Sequence, residues 1–90
     1  MTPPAQHPNQ IDLIIVVSGS PHPIQANIHQ TLEHLVSEAL RDSGNAGQPG
    51  EDWELRTEDG ALLPQSQRIS QAGLTTGQTL FLNPAAGAGG

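Results

Sequence analysis

The string NPAAGAGG, residues 83–90, carries no charged, aromatic or branched side chain and ends in Gly89 and Gly90. A free carboxylate on such a string can enter a narrow catalytic slot, because a glycine backbone is approached closely from both sides and takes φ angles closed to other residues. The seven residues from Pro84 to Gly90 reach up to about 23–25 Å when extended, at roughly 3.3–3.6 Å each. Pro84 has no amide hydrogen for a ladder and marks the expected point at which a last strand releases this tail. On the residues alone two readings stay open. The tail is either a substrate end shaped for another protein's active site, or a Gly/Ala-rich end that is merely frayed.

Other constellations offer less. The chain has no cysteine, hence no disulfide, no thiolate metal site and no thioester of its own. His7, His22, His29 and His34 form no helical i,i+4 pair and no carboxylate–histidine motif of known spacing, so no metal site is expected. No nucleophile with a partner base and no paired buried carboxylates can be argued. The chain is therefore expected not to be an enzyme and to carry no cofactor. Glu51, Asp52, Glu54, Glu58 and Asp59 read as crowding one end of a third strand, either as a solvated loop or as a docking surface for a basic enzyme. Trp53, at core spacing, reads as packing.

Ninety residues make one domain with one core. The net charge of −6 rests on nine acids against Arg41, Arg56 and Arg68, a poor basis for holding phosphates. Nucleic acid is not expected as a partner; a basic protein surface is. Lysine is absent altogether, which fits either the base composition of a genome or avoidance of free amines. The opening MTPPAQHPNQ has no signal-peptide pattern, and no apolar run approaches the roughly 20 residues of a membrane span. A cytoplasmic protein without a membrane partner is the expectation.

The elements that must position the tail follow from periodicity. Residues 1–10 are Pro-rich and read as a flexible N-terminal arm. In IDLIIVV, Ile11, Leu13, Ile15 and Val17 fall on one face of a strand and Asp12, Ile14 and Val16 on the other. SGSPH, residues 18–22, reads as a turn, and PIQANI as the second strand of a hairpin. In TLEHLVSEALRDSG, Leu32, Leu35, Val36, Ala39 and Leu40 form one apolar stripe of a helix, with Thr31 as N-cap and Gly44 at its end. WELRT is a third strand, EDG a turn and ALL a short strand limited by Pro64. QSQRISQAGL holds a helical turn that buries Ile69 and Leu74. QTLFL is the last strand, with Leu80 and Leu82 inward and Phe81 outward. One helix stripe is most economically covered by a mixed sheet with the first and last strands side by side. The expected fold is α+β, a β-grasp with a mixed four- to five-stranded sheet over one helix, spanning residues 11–83 with a flexible tail at 84–90.

This order of elements resembles ubiquitin over residues 11–90. TLEHLVSEALRDSG resembles its helix, EDGALLP its turn and short strand, QRISQAGLTTGQTLFL the run into its final strand, and the ending is Gly-Gly. The Pro-rich start and the acidic, lysine-free composition are most similar to bacterial ubiquitin-like proteins. The resemblance implies a modifier whose Gly90 carboxylate is adenylated with ATP by an activating enzyme, carried as a thioester on that enzyme's cysteine and joined to target proteins. It further implies a conjugating enzyme, a deconjugating protease and a monomeric modifier, with Gly89 and Gly90 as the conjugation residues. Pro84, Ala85, Ala86, Gly87 and Ala88 replace the arginines and leucines of ubiquitin's tail, so a dedicated activating enzyme is expected. If Gly90 is the natural end, no maturation cut is needed. Without lysine, copies can join one another only through the amino terminus or a Ser or Thr hydroxyl. Two further readings remain: a sulfur carrier with a terminal thiocarboxylate, and a β-grasp adaptor that is never conjugated.

In a β-grasp sheet one face packs on the helix and the other is open. Ile14, Val16 and Phe81 are thereby placed in an apolar patch edged by Arg56 and Glu54, either a partner-binding surface or ordinary cross-strand packing partly covered by the arm. Arg56 stands near the place where ubiquitin exposes an isoleucine, which argues against recognition by ubiquitin's own readers.

Overall fold

A computed structural model describes residues 9–85. Its elements are β1 (Gln10–Val17), β2 (Ser20–Asn27), α1 (Leu32–Asp42), a 3-10 turn (Gly50–Asp52), β3 (Trp53–Thr57), β4 (Leu62–Leu63), a second 3-10 turn (Ile69–Gln71) and β5 (Thr79–Pro84). The five strands form one mixed sheet in the order β2-β1-β5-β3-β4. β1 and β5 run parallel in its middle; the other pairs are antiparallel. The β-grasp arrangement inferred from the element order is the one observed.

The core follows the alternation of the sequence. Ile11, Leu13, Ile15 and Val17 of β1, Leu55 of β3, and Leu80 and Leu82 of β5 are buried against Leu32, Leu35, Val36, Ala39 and Leu40 of α1. Ile69 is buried with them, and Leu74 packs half-buried at the margin. Each fully buried Leu or Ile contributes about 1.5–3 kcal/mol. Among the described residues none that is polar or charged is buried, so the core draws its stability from apolar contact alone.

Both ends of α1 are closed by backbone. Thr31 occupies the N-cap position but makes no side-chain cap bond. The first-turn amides of Leu32 and Glu33 instead donate to the carbonyls of Gln67 and Gln65, at 2.8 and 2.9 Å. These bonds satisfy groups that every helix N-terminus leaves open, and they tie the long loop after β4 to the helix. At the other end Gly44 has φ +84, with Gly44 N donating to Arg41 O at 3.2 Å and Asn45 N to Leu40 O at 2.7 Å. This pair of bonds is a Schellman motif, which needs the left-handed residue that glycine supplies.

The first hairpin is tighter than the sequence reading placed it. Only Ser18 and Gly19, at φ 48 and φ 92, form the turn, as a two-residue loop with both central residues left-handed. Strand pairing resumes at once with Val17 opposite Ser20 and runs through Pro21 and Pro23. Proline is tolerated there because β2 is an edge strand. At the far end β5 continues through Pro84, which lies opposite Trp53, and Ala85 N still donates to Asp52 O at 2.8 Å. That bond brackets a pair whose members exchange no bonds with each other, so the missing N–H of Pro84 is not required by β3. The sheet therefore holds the chain past Pro84, where the sequence reading had it released.

Candidate functional site

The open face of the sheet is built by one row of residues that crosses all five strands. Val16 lies opposite Pro21 on β2 and Phe81 on β5; Phe81 lies opposite Arg56 on β3; Arg56 lies opposite Leu62 on β4. One step away, Ile14 pairs with Pro23 and Thr79. Register partners in a sheet point to the same face, so Ile14, Val16, Phe81 and Arg56 are brought together. Val16 and Phe81 are half-buried, whereas Ile14 is 37% and Leu62 54% exposed, the large hydrophobics most open to solvent among the described residues.

Arg56 is inside this row rather than at its border. Its Nη1 donates to Gly60 O at 2.8 Å and its Nη2 to Glu54 Oε1 at 3.2 Å. The guanidinium is thus tied into its own hairpin, with its charge offset by Glu54. The face offers an apolar surface with one held cation.

Leu62, Pro21 and Pro23 are members of this face that the sequence reading missed. Leu62 sits in a strand of two residues, too short for alternation to show. The sequence reading places Pro21 in the turn and Pro23 at the very start of the second strand. The signal that finds them is the Ser-Gly pair, since a two-residue turn fixes the phase of the strand that follows.

The acidic residues do not crowd one end of β3. Glu51 and Asp52 precede it and Glu58 and Asp59 follow it, so they lie at opposite ends of a five-residue strand about 17 Å long. Glu51 and Asp52 stand where β5 leaves the sheet, through the Ala85 to Asp52 bond. Asp59 accepts a hydrogen bond from the Thr57 hydroxyl. That bond, with the amides of the turn, holds its carboxyl below the usual carboxylate range.

The remaining candidates that lie among the described residues make contacts within the domain. Trp53 is buried and its Nε1 donates to Gln48 Oε1 at 3.3 Å. His22 Nδ1 lies 3.0 Å from Asp42 Oδ2, joining β2 to the end of α1, and His34 lies 3.5 Å from Glu38 on α1. No three His, Cys, Asp or Glu residues converge to hold a metal among the described residues. No helix of these residues is long and apolar enough to cross a membrane. His7 and the conjugation residues Gly89 and Gly90 lie outside the described residues.

Comparisons with known proteins agree with this architecture. A family model described as "Protein of Unknown function (DUF2604)" matches residues 6–90. The uncharacterized protein y4jI of Sinorhizobium fredii (strain NBRC 101917 / NGR234) is 39% identical over 83 residues, which cover 92% of this chain. The match spans 64% of that relative's length. Among solved structures, a designed protein based on ubiquitin is similar with TM-score 0.76 and 20% identity, over 93% of this chain and 99% of the other. The ubiquitin of Caldiarchaeum subterraneum gives TM-score 0.70 and 16% identity, over 84% and 94%. A structure described as molecular mimicry of SUMO promoting DNA repair gives 0.74 and 15%, over 86% and 94%. At these identities the likeness is one of fold, and the fold is ubiquitin-like.

Proposed function

The chain belongs to the DUF2604 family, and from its ubiquitin-like fold we propose that it is a protein modifier, not an enzyme, conjugated through the Gly90 carboxylate. The observation that carries this reading is the position of β5. A central strand, locked on one side by β1 and on the other by β3, delivers the chain to the end of the sheet at Ala85, and Gly89 and Gly90 follow five residues later at most. Counted from Ala85, the tether reaches about 17–18 Å when extended, enough to enter a slot in another protein.

The chemistry is supplied by partners. A dedicated ATP-dependent activating enzyme forms the acyl adenylate and takes the acyl group onto its cysteine; a conjugating enzyme passes it to an amine or hydroxyl of a target, and a protease reverses the link. The modifier contributes the glycine tail and the open face of Ile14, Val16, Phe81 and Arg56 as the surface its partners grip. A cytoplasmic bacterial setting fits such a pathway. The absence of lysine restricts copy-to-copy linkage to the amino terminus or a hydroxyl, so targets carry single copies or head-to-tail chains.

The test is made in the native host. The N-terminally tagged protein and a version lacking Gly89 and Gly90 are compared after denaturing lysis, with mass spectrometry of the tail. High-mass species that require the two glycines, and target peptides bearing a tail remnant, are expected. A free chain whose terminal oxygen is replaced by sulfur would instead identify a sulfur carrier, and an unmodified chain that functions without the glycines an adaptor. The same spectra read the terminus of the chain in the cell.

A further inference from the structure

β2 lies at an edge of the sheet, and the direction of its amides decides what can pair with it. In an antiparallel ladder, alternate residues of an edge strand turn both N–H and C=O either to the neighbour or to solvent. The phase of β2 is set at both ends. The two-residue turn closes on Val17 opposite Ser20. At the other end Ile28 N donates to Asn9 O at 2.8 Å around the pair Gln10 and Asn27, which therefore exchange no bonds with each other. Counting back from Asn27 in steps of two, Gln25, Pro23 and Pro21 also face outward.

Of these four outward positions, two are prolines with no N–H to offer. A third is occupied: Asn27 N donates to the Gln30 side-chain oxygen at 3.3 Å. Among the described residues, only Gln25 of the four keeps an outward amide without a partner. The groove between β2 and α1, where a guest strand's side chains would lie, is bridged by the His22 to Asp42 contact at 3.0 Å. The opposite edge, β4, is two residues long and is followed by Pro64.

We infer that the β2 edge is closed to strand addition, so that neither extended peptides nor a second copy of the chain can extend the sheet there. A guest strand needs donors and acceptors in alternation. Here it meets the outward carbonyls of Pro21, Pro23 and Gln25 but one donor, and its own carbonyls opposite the prolines stay unpaired. The inference concerns which surface partners can use and so deepens the modifier reading, but its geometry holds for the isolated domain.

The test restores the missing donors. Pro21→Val with Pro23→Thr is compared with the unchanged protein by sedimentation velocity over a concentration series and by amide hydrogen exchange. The unchanged protein is expected to stay at monomer mass. The double variant is expected to shift to dimer or larger mass as concentration rises, with protection at the new amides 21 and 23. A double variant that stays monomeric with those amides unprotected overturns the inference, as does an unchanged protein that dimerises with the Gln25 amide protected. A second pair of variants guards against a misfolded double variant. Gln25→Pro removes an amide that faces solvent and should leave the melting temperature unchanged, whereas His22→Pro removes a ladder bond to β1 and should unfold the domain. Unfolding by Gln25→Pro would overturn the assigned phase. None of these readouts involves conjugation, so failure here is separate from failure of the modifier reading.

Discussion

Phe81 on β5 lies directly opposite Arg56 on β3, whereas its neighbour Leu82 points through the same strand into the core with no exposure. The two side chains therefore test the two faces of one strand. Phe81→Ala is expected to cost about 1 kcal/mol, the scale of a cross-strand pair, and Leu82→Ala about 2–5 kcal/mol, the scale of a buried leucine. Urea denaturation of both variants measures this. Equal losses would make the open face a second core rather than a surface available to partners.

Gln65 joins three parts of the chain that are far apart in sequence. Its side-chain nitrogen donates to the carbonyls of Gly50 and Trp53, both at 2.9 Å, while its own carbonyl accepts from Glu33 at the start of α1. Gln65→Ala removes the two side-chain bonds and leaves part-buried carbonyls without them, at an expected cost of about 1–3 kcal/mol. Chemical denaturation reads the loss, and exchange of the residue 50–53 amides should quicken. Unchanged stability would show that solvent replaces Gln65 at both carbonyls.

Asp59 makes the β3–β4 hairpin sensitive to acid. Its carboxyl is held low, first by the Thr57 hydroxyl and then by turn amides, so its folded value lies below its unfolded one. A depressed carboxyl contributes stability that is fully present above the unfolded value, near pH 3.9, and is lost as pH falls through the folded value. Thr57→Val should move the Asp59 carboxyl resonance in an NMR titration back toward the ordinary range. A titration midpoint unchanged by the substitution would remove Thr57 as the cause.

Gly44 is required by its backbone rather than by its surroundings. At φ +84 a Cβ would meet nothing within 4 Å, so Gly44→Ala measures the left-handed conformation alone, about 1–2 kcal/mol. Gly44→Asn should cost less, since asparagine tolerates that region best among the other residues. Thermal melts of the pair give the order. Alanine and asparagine variants of equal stability would mean that the helix end rearranges.

The sequence made the elements with strong alternation or helical spacing legible, and through them the fold. Ile11 to Val17, the Leu32 to Leu40 stripe and the Leu80, Phe81, Leu82 triplet each bury or expose their side chains as their period requires. Features governed by hydrogen bonds between distant segments were not legible. Nothing local to Thr31 reveals that the helix start is capped by Gln65 and Gln67, and nothing in SPHP shows that Pro21 sits in a strand rather than a turn until the edge position of β2 is known. Of the candidate face, four residues could be read from alternation, while Leu62 required the register of a strand too short to have a period.

The parallel pairing of β1 with β5 also bears on the protein's synthesis. The strand that fills the middle of the sheet is the last of the described elements in chain order, so β1, β2, α1, β3 and β4 lack their shared centre until Thr79 to Pro84 emerge. Such far-separated contacts slow folding. A chain cut short before Ala85 also lacks the bond from Ala85 N to Asp52 O that closes the sheet at this end.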